Sequence, residues 1–146
     1  MSYKVQRLPR RLSPRDVALL VDLEYACFPD DETYPKVSPN VRWWIVWRDD
    51  GKAVGFAGSR YYEPDNAMFL CRAGVLPCAR GNGLQRRLIR ARIRHARASG
   101  ARGLMTYTRL DNCASSNNLI RCGFRLWTPS YAWAGKRDVL YWWLDT

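Results

Sequence analysis

Two hydrophobic periods alternate along the chain. Val17, Leu20, Val21 and Leu23 recur at helical spacing and predict a first amphipathic helix. Ser13 is placed as its N-cap, with Pro14 at the first helical position, and Phe28-Pro29 stops it. Ahead of it, Tyr3 to Leu8 reads as a strand. Behind it, residues 30–40 form a polar segment with two prolines, a loop or short helix. Residues 41–48 and 53–62 are dense in aromatic and β-branched side chains. Asp49-Asp50-Gly51-Lys52 joins them with hairpin chemistry, and Glu63-Pro64-Asp65-Asn66 supplies the next turn. The apolar run Ala67 to Leu76 then predicts a buried strand.

The period changes again at Leu84. At about 100° per residue, Arg86, Arg87, Arg90, Arg94 and Arg97 share one sector of a helix running to Ser99. Leu84, Leu88, Ile89, Ala91, Ile93, His95 and Ala96 fill most of the rest. Arg92 falls inside the apolar sector and must snorkel or find a partner. His95, near the centre of that sector, reads as a hydrogen-bonded core residue rather than a catalyst. Ser99-Gly100 ends the helix. Residues 104–108 form the next strand, which must run parallel to the one before the helix. Asp111-Asn112 offers an N-cap for a short helix over 114–121, closed by Gly123. Residues 124–127 and 139–144 are the closing strands, separated by a loop with Tyr131 and Trp133. The order predicts one α/β domain over residues 1–146: a mixed, mostly antiparallel twisted sheet flanked by helices.

Composition narrows the class. With 146 residues, 47% hydrophobic, the chain can bury a core. No apolar run nears the ~20 residues of a membrane span, and the arginine-broken N-terminus has no secretory h-region. No membrane partner is expected. Five cysteines, an odd number without metal-ligand spacing, read as reduced thiols, so a cytoplasmic protein is expected. His95 is the single histidine, which argues against a His-based metal site or a Ser-His triad; no metal is expected. The net charge is +11, and eight arginines lie between Arg80 and Arg102 with no acidic residue among them. Such a field fits a solvated helix face, coenzyme phosphates, an acidic partner or nucleic acid. No nucleic-acid motif accompanies it, so nucleic acid is not expected as a partner.

The chemistry concentrates at Val75-Leu76-Pro77-Cys78-Ala79-Arg80-Gly81-Asn82-Gly83-Leu84-Gln85. A strand leads into this stretch and a helix leaves it. Helix N-termini present unpaired N–H groups and about +0.5 of a charge to an anion. Gly81 and Gly83 allow close backbone approach, and Arg80 adds a charged donor.

This stretch, with Asn112, Ser115 and Gly123-Phe124 downstream, resembles the GNAT family of acyl-CoA-dependent N-acyltransferases. The signature Val-x-Pro-x-x-Arg-Gly-x-Gly and the second motif together lie across residues 66–128. The resemblance implies acetyl transfer from acetyl-CoA to a primary amine of a small molecule or peptide, by a monomer or homodimer. It implies a strand pair that splays after the motif strand, with pantetheine in the gap. Gly74 is then the bulge residue, Val75 and Leu76 the backbone contacts, and Arg80, Gly81, Asn82, Gly83, Leu84 and Gln85 the pyrophosphate cradle. Asn112 and Ser115 reach the cofactor from the other side, or Asn112 only caps its helix.

The sequence departs from the family in three places. Many relatives carry Glu early in the motif strand, where this chain has Ala67-Met68-Phe69. Many carry a general-acid Tyr where this chain has Leu119. The loop motif usually ends on a small residue, here Gln85. Glu32, in the segment the resemblance places beside the acceptor, is the substitute base, and Tyr107 the substitute acid. Arg72, a charge in an apolar strand, is a candidate for an acceptor carboxylate. The missing Glu and Tyr leave open a catalytically degenerate acyl-CoA-binding module, and the arginines leave open a basic nucleic-acid-binding protein.

Overall fold

The computed structural model describes residues 1–30, 37–135 and 138–146. Glu32, with Asp31 and Tyr34, lies outside the described residues. Strand β1 (Tyr3–Arg7) leads to helix α1 (Pro14–Cys27), then β2 (Arg42–Arg48), β3 (Ala53–Tyr62) and β4 (Ala67–Val75). Helix α2 (Leu84–Ala98) crosses to β5 (Gly103–Arg109), followed by α3 (Cys113–Arg121), β6 (Arg125–Leu126) and β7 (Val139–Asp145). These strands form one sheet in the order β1-β2-β3-β4-β5-β7-β6. Only the β4–β5 pair is parallel among the pairs described. No helix among the described residues is long and apolar enough to cross a membrane.

Local chemistry sets the element ends. Ser13 Oγ accepts from the Asp16 N–H at 3.1 Å, and Asp16 reaches back to the Ser13 N–H at 3.2 Å, a reciprocal cap. The helix stops at Phe28, before Pro29. Asn112 Oδ1 accepts from the Ser115 N–H at 3.2 Å and so caps α3. Between the strands, side chains alternate faces. Leu20, Leu23 and Cys27 of α1 pack on Trp43, Ile45 and Phe56. On the opposite face, Leu84, Leu88 and Ala91 of α2 cover Trp44, Val46, Val54 and Val75. The far half of α2 joins Leu119 of α3 over Met68, Leu70, Leu104 and Trp142. The sheet is therefore a wall with α1 on one side and α2 and α3 on the other.

The irregularity that matters lies in β4. Ala57 faces Ala73 and Ser59 faces Leu70, so Gly58 alone opposes both Cys71 and Arg72. That extra residue is a β-bulge, which bends its strand and interrupts the ladder. Gly74, expected as the bulge residue, instead pairs regularly with Phe56. Its lack of a Cβ serves packing: a Cβ there would sit 2.8 Å from Cys27 Cβ and 3.0 Å from the Phe56 ring. Gly74 lets the end of α1 press on β4.

Arg92 answers the question its position poses. Its side chain is buried, and Nη1 donates to the Gly58 carbonyl at 3.2 Å while Nε donates to the Leu88 carbonyl at 3.2 Å. A guanidinium thus fills the place in the ladder that the bulge disrupts. Burial lowers its pKa to about 10, with the nearby Cys71 and Cys122 thiols opposing that shift. Arg92→Met should lower stability in urea unfolding by about 1–3 kcal/mol, the usual cost of leaving a buried polar group unpaired. Arg92→Lys, which keeps a donor, should lose less. Equal losses would mean that side-chain volume, not the bond to Gly58, is what counts.

Candidate functional site

β4 and β5 pair only through Ala67, Met68 and Phe69 with Gly103, Leu104 and Met105. Past Phe69 the two strands part. The opening is a cleft of about 1020 Å³, walled by β4 from Phe69 to Val75, by Thr106 to Arg109 of β5, and by the start of α2. Cys27 and Phe28 close one side, and Asn112, Ala114, Ser115 and Asn118 the other.

Separation of the strands leaves backbone groups facing the gap. In an antiparallel ladder, alternate residues point their N–H and C=O to one neighbour only. The Leu76 N–H donates to the Val54 carbonyl at 2.8 Å. By alternation Ala73 and Val75 turn their backbone groups away from β3, into the cleft. The Val75 carbonyl accepts from Arg80 Nε at 3.2 Å, which pins the loop arginine to the cleft wall. Leu76, expected as a second backbone contact, is not on that wall, because its N–H is spent on β3.

At the mouth, Pro77–Ala79 form a short 3-10 turn and α2 begins at Leu84. Gly81 has φ +81° and Gly83 φ +70°, left-handed values that L side chains rarely adopt. A Cβ at Gly81 would meet nothing within 4 Å, so the surface there is open to a ligand. Gly83 is the N-cap and supplies no side-chain acceptor, so the first N–H groups of α2 point outward unsatisfied by a cap. Gly81, Gly83, Leu84, Gln85 and Arg80 all line the cleft. Asn82 does not; its amide donates to the Ala79 carbonyl at 2.9 Å and braces the loop from behind.

Arg86 shares a helical sector with Arg87, Arg90, Arg94 and Arg97, yet it lines the cleft while those four are exposed. Asn118 lines the cleft from α3. The spacing Asn112, Ser115, Asn118 is a helical face, and that periodicity is the signal that would have found Asn118.

Tyr107 stands deeper. It lies on the cleft wall, stacked on Phe69 at 6.3 Å between centroids and edge-on to Trp133 at 5.7 Å. Trp133 in turn meets Tyr141 edge-on at 5.0 Å. These rings build an aromatic wall on the α1 side of the sheet. Leu119, where relatives carry a tyrosine, is buried in the core and offers no hydroxyl.

Arg72 Nε bonds Glu24 Oε1, and its guanidinium lies 4.4 Å from the Phe28 ring centroid. The charge in the apolar strand is therefore held by a carboxylate of α1, a partner no spacing rule reveals. Burial pushes the Cys27 thiol up to about 11, with Arg80 opposing and Glu24 adding to the shift. At neutral pH Cys27 stays protonated and is no nucleophile.

The geometry comprises an uncapped helix start behind two left-handed glycines, a gap between two parted strands, and an aromatic wall. Comparison with known proteins points the same way. A stretch of 51 residues, 35% of the chain, is 41% identical to mycothiol acetyltransferase of Nocardia farcinica (strain IFM 10152). That match takes in 17% of the relative's length. An IAA acetyltransferase from Bacillus cereus ATCC 14579 superposes with a TM-score of 0.75 at 16% identity, covering 99% of this chain and 100% of that one. A Bacillus subtilis acetyltransferase solved in complex with CoA gives 0.76 at 15% identity, covering 99% of each chain. At such identities these two structures speak for the fold. The model of the acetyltransferase (GNAT) family matches residues 14–124, which include α1, the bulged strand, the cradle and α3. On that match, the chain belongs to the acetyltransferase (GNAT) family.

Proposed function

We propose that the protein moves an acetyl group from acetyl-CoA to a primary amine of a small molecule or peptide. The observation that carries this reading is the parting of β4 and β5 directly beside the uncapped start of α2. The gap offers the Ala73 and Val75 backbone to the amides of a pantetheine arm. The N–H groups at residues 84–86 and the Arg80 and Arg86 side chains suit a pyrophosphate. When bound, acetyl-CoA supplies an activated thioester. The chain's part is to hold that thioester and a neutral amine together, and proximity of this kind supplies much of the rate.

In this reading Glu32 takes the proton from the incoming ammonium, directly or through water, and Tyr107 gives one to the departing thiolate. Tyr107 suits that part because it lies two residues beyond the last paired residue of β5, where the gap opens. Ser115 and the Asn112 side chain line the same gap from α3. Asn112 already uses Oδ1 as a cap, which leaves its amide NH2 for a ligand.

Acetyl-CoA at a hundredfold excess over its dissociation constant should stabilise the protein by about 2.7 kcal/mol. Gly83→Glu sets bulk and negative charge in the cradle and should abolish that gain while the protein stays folded. A melt indifferent to millimolar acetyl-CoA would remove the basis of the assignment.

Turnover tests the acid and base separately from binding. Glu32→Gln should lower kcat about a hundredfold or more, flatten the acidic limb of the pH–rate profile, and leave acetyl-CoA affinity intact. Tyr107→Phe should lower kcat with the same sparing of affinity. Thiol release from acetyl-CoA against amino acids, peptides, polyamines and aminoglycosides is the measurement. Stabilisation by acetyl-CoA without turnover on any amine would identify a binding module.

A further inference from the structure

At its far end, α2 carries a second cluster of charge. Arg7 of β1 reaches His95 of α2, with Nη1 to Nδ1 at 3.4 Å. Arg7 stands beside Trp44 in the β1–β2 register, and the Trp44 ring meets the His95 ring edge-on at 5.4 Å. Arg42 lies two residues before Trp44 on β2, and so shares its α2-facing side. The charges of Arg7 and Arg10 both bear on Arg42, and those of Arg42 and Arg7 on His95. Three arginines and the histidine thus converge from β1, the segment after it, β2 and α2.

Such crowding is costly without a counter-charge. Among the described residues no carboxylate pairs with any of the four; the ion pairs described are Arg48–Asp50, Arg72–Glu24 and Arg109–Asp111. Two polar atoms at the cluster's floor also lack partners. Arg42 Nε is buried with no hydrogen bond, and Ser59 Oγ, on a residue 1% exposed, is likewise unsatisfied. Ser59 is the direct partner of Arg42 in the β2–β3 register, so the two side chains rise side by side on the same face. Buried donors left unpaired in a native fold call for a ligand group or a water.

We propose that Arg7, Arg10, Arg42 and His95, with Ser59 at the floor, form a binding site for a tetrahedral oxyanion, a free sulfate or phosphate or the phosphoryl group of a larger ligand. His95 lies eleven residues along α2 from Leu84, about 16 Å along the helix axis. The site is thus separate from the cleft at the opposite end of the helix. Arginine suits it because the guanidinium fork matches oxyanion geometry. Ser59 Oγ adds a neutral donor, and protonated His95 a further one.

His95, as the single histidine, is its own reporter. Burial first, then the charges of Arg42 and Arg7, lower its pKa. An oxyanion opposes those charges and should raise it. The experiment is an NMR pH titration of the His95 imidazole in the whole chain, at constant ionic strength, with chloride replaced by sulfate, which keeps its charge throughout. A sulfate-dependent rise in the His95 midpoint that saturates is expected. Arg7→Gln and Arg10→Gln, both at exposed positions, should weaken the apparent sulfate affinity at least tenfold while Gly83→Glu leaves it unchanged. AMP in place of sulfate separates the sources: an equal response marks a free-anion site, and a tighter one marks a phosphoryl group on a larger body. A midpoint that does not move, that moves as far in chloride, or that moves equally in the arginine variants would overturn the proposal.

Discussion

One extra residue in β4 governs the architecture of the cleft. Where Cys71 and Arg72 both oppose Gly58, the strand bends, and its parallel pairing with β5 ends after Phe69. A bulge of this kind disrupts ladder bonding and must be stabilised from outside. Arg92 does so by reaching across from α2 to the Gly58 carbonyl. The helix whose first turn lines the mouth of the cleft therefore also holds β3 opposite the bulge in β4. A shift of α2 along its axis would disturb both at once, which ties the two halves of the cleft to one rigid element.

Charge is arranged along that same element. At its N-terminus the backbone dipole and the Arg80 and Arg86 side chains face the cleft, and no acid of the described residues lines the wall. At its C-terminal half His95 meets Arg7 and Arg42 of β1 and β2, and among the described residues no carboxylate pairs with them. Arg87 donates to the Tyr3 carbonyl at 3.1 Å, extending the basic surface onto the β1 edge. The negative end of a helix favours cations, so His95 and Arg97 sit in the last turn with less penalty than they would meet elsewhere.

Periodicity revealed most of the fold, because the strands and helices bury one face each and their patterns are clean. The helix ends were legible for the same local reasons that produce them, such as Ser13-Pro14 at the start of α1 and Ser99-Gly100 at the end of α2. The turn into α2 was legible because Gly81 and Gly83 adopt conformations that glycine alone tolerates cheaply. The bulge was not. Gly74 attracts attention as a glycine in a strand, but its role is contact with Cys27, and the bulge residues Cys71 and Arg72 carry no local mark. Register is a property of two strands together, and one strand's sequence does not encode it. The Arg72–Glu24 pair was hidden likewise, since its partners are 48 positions apart. Arg86 was misassigned because a helical wheel describes the body of a helix, whereas the first turn projects past the core to whatever lies at the sheet's end.

The proposed choice of acid and base follows from what the core has taken over. Met68, adjoining where many relatives have an acid, and Leu119, where many have a phenol, are both buried in the same hydrophobic cluster as Leu70, Leu104 and Trp142. A carboxylate or hydroxyl at either place would need a buried partner or would cost several kcal/mol. Neither position carries a titratable group, which is why the proposed acid and base are sought at other residues. Tyr107, the proposed acid, belongs to the aromatic wall, with Phe69 stacked on its ring and Trp133 edge-on to it. In the proposed reaction, a phenol fixed by neighbouring rings would need little reorganisation to protonate a departing thiolate, which is the condition for a positioned acid to outperform water.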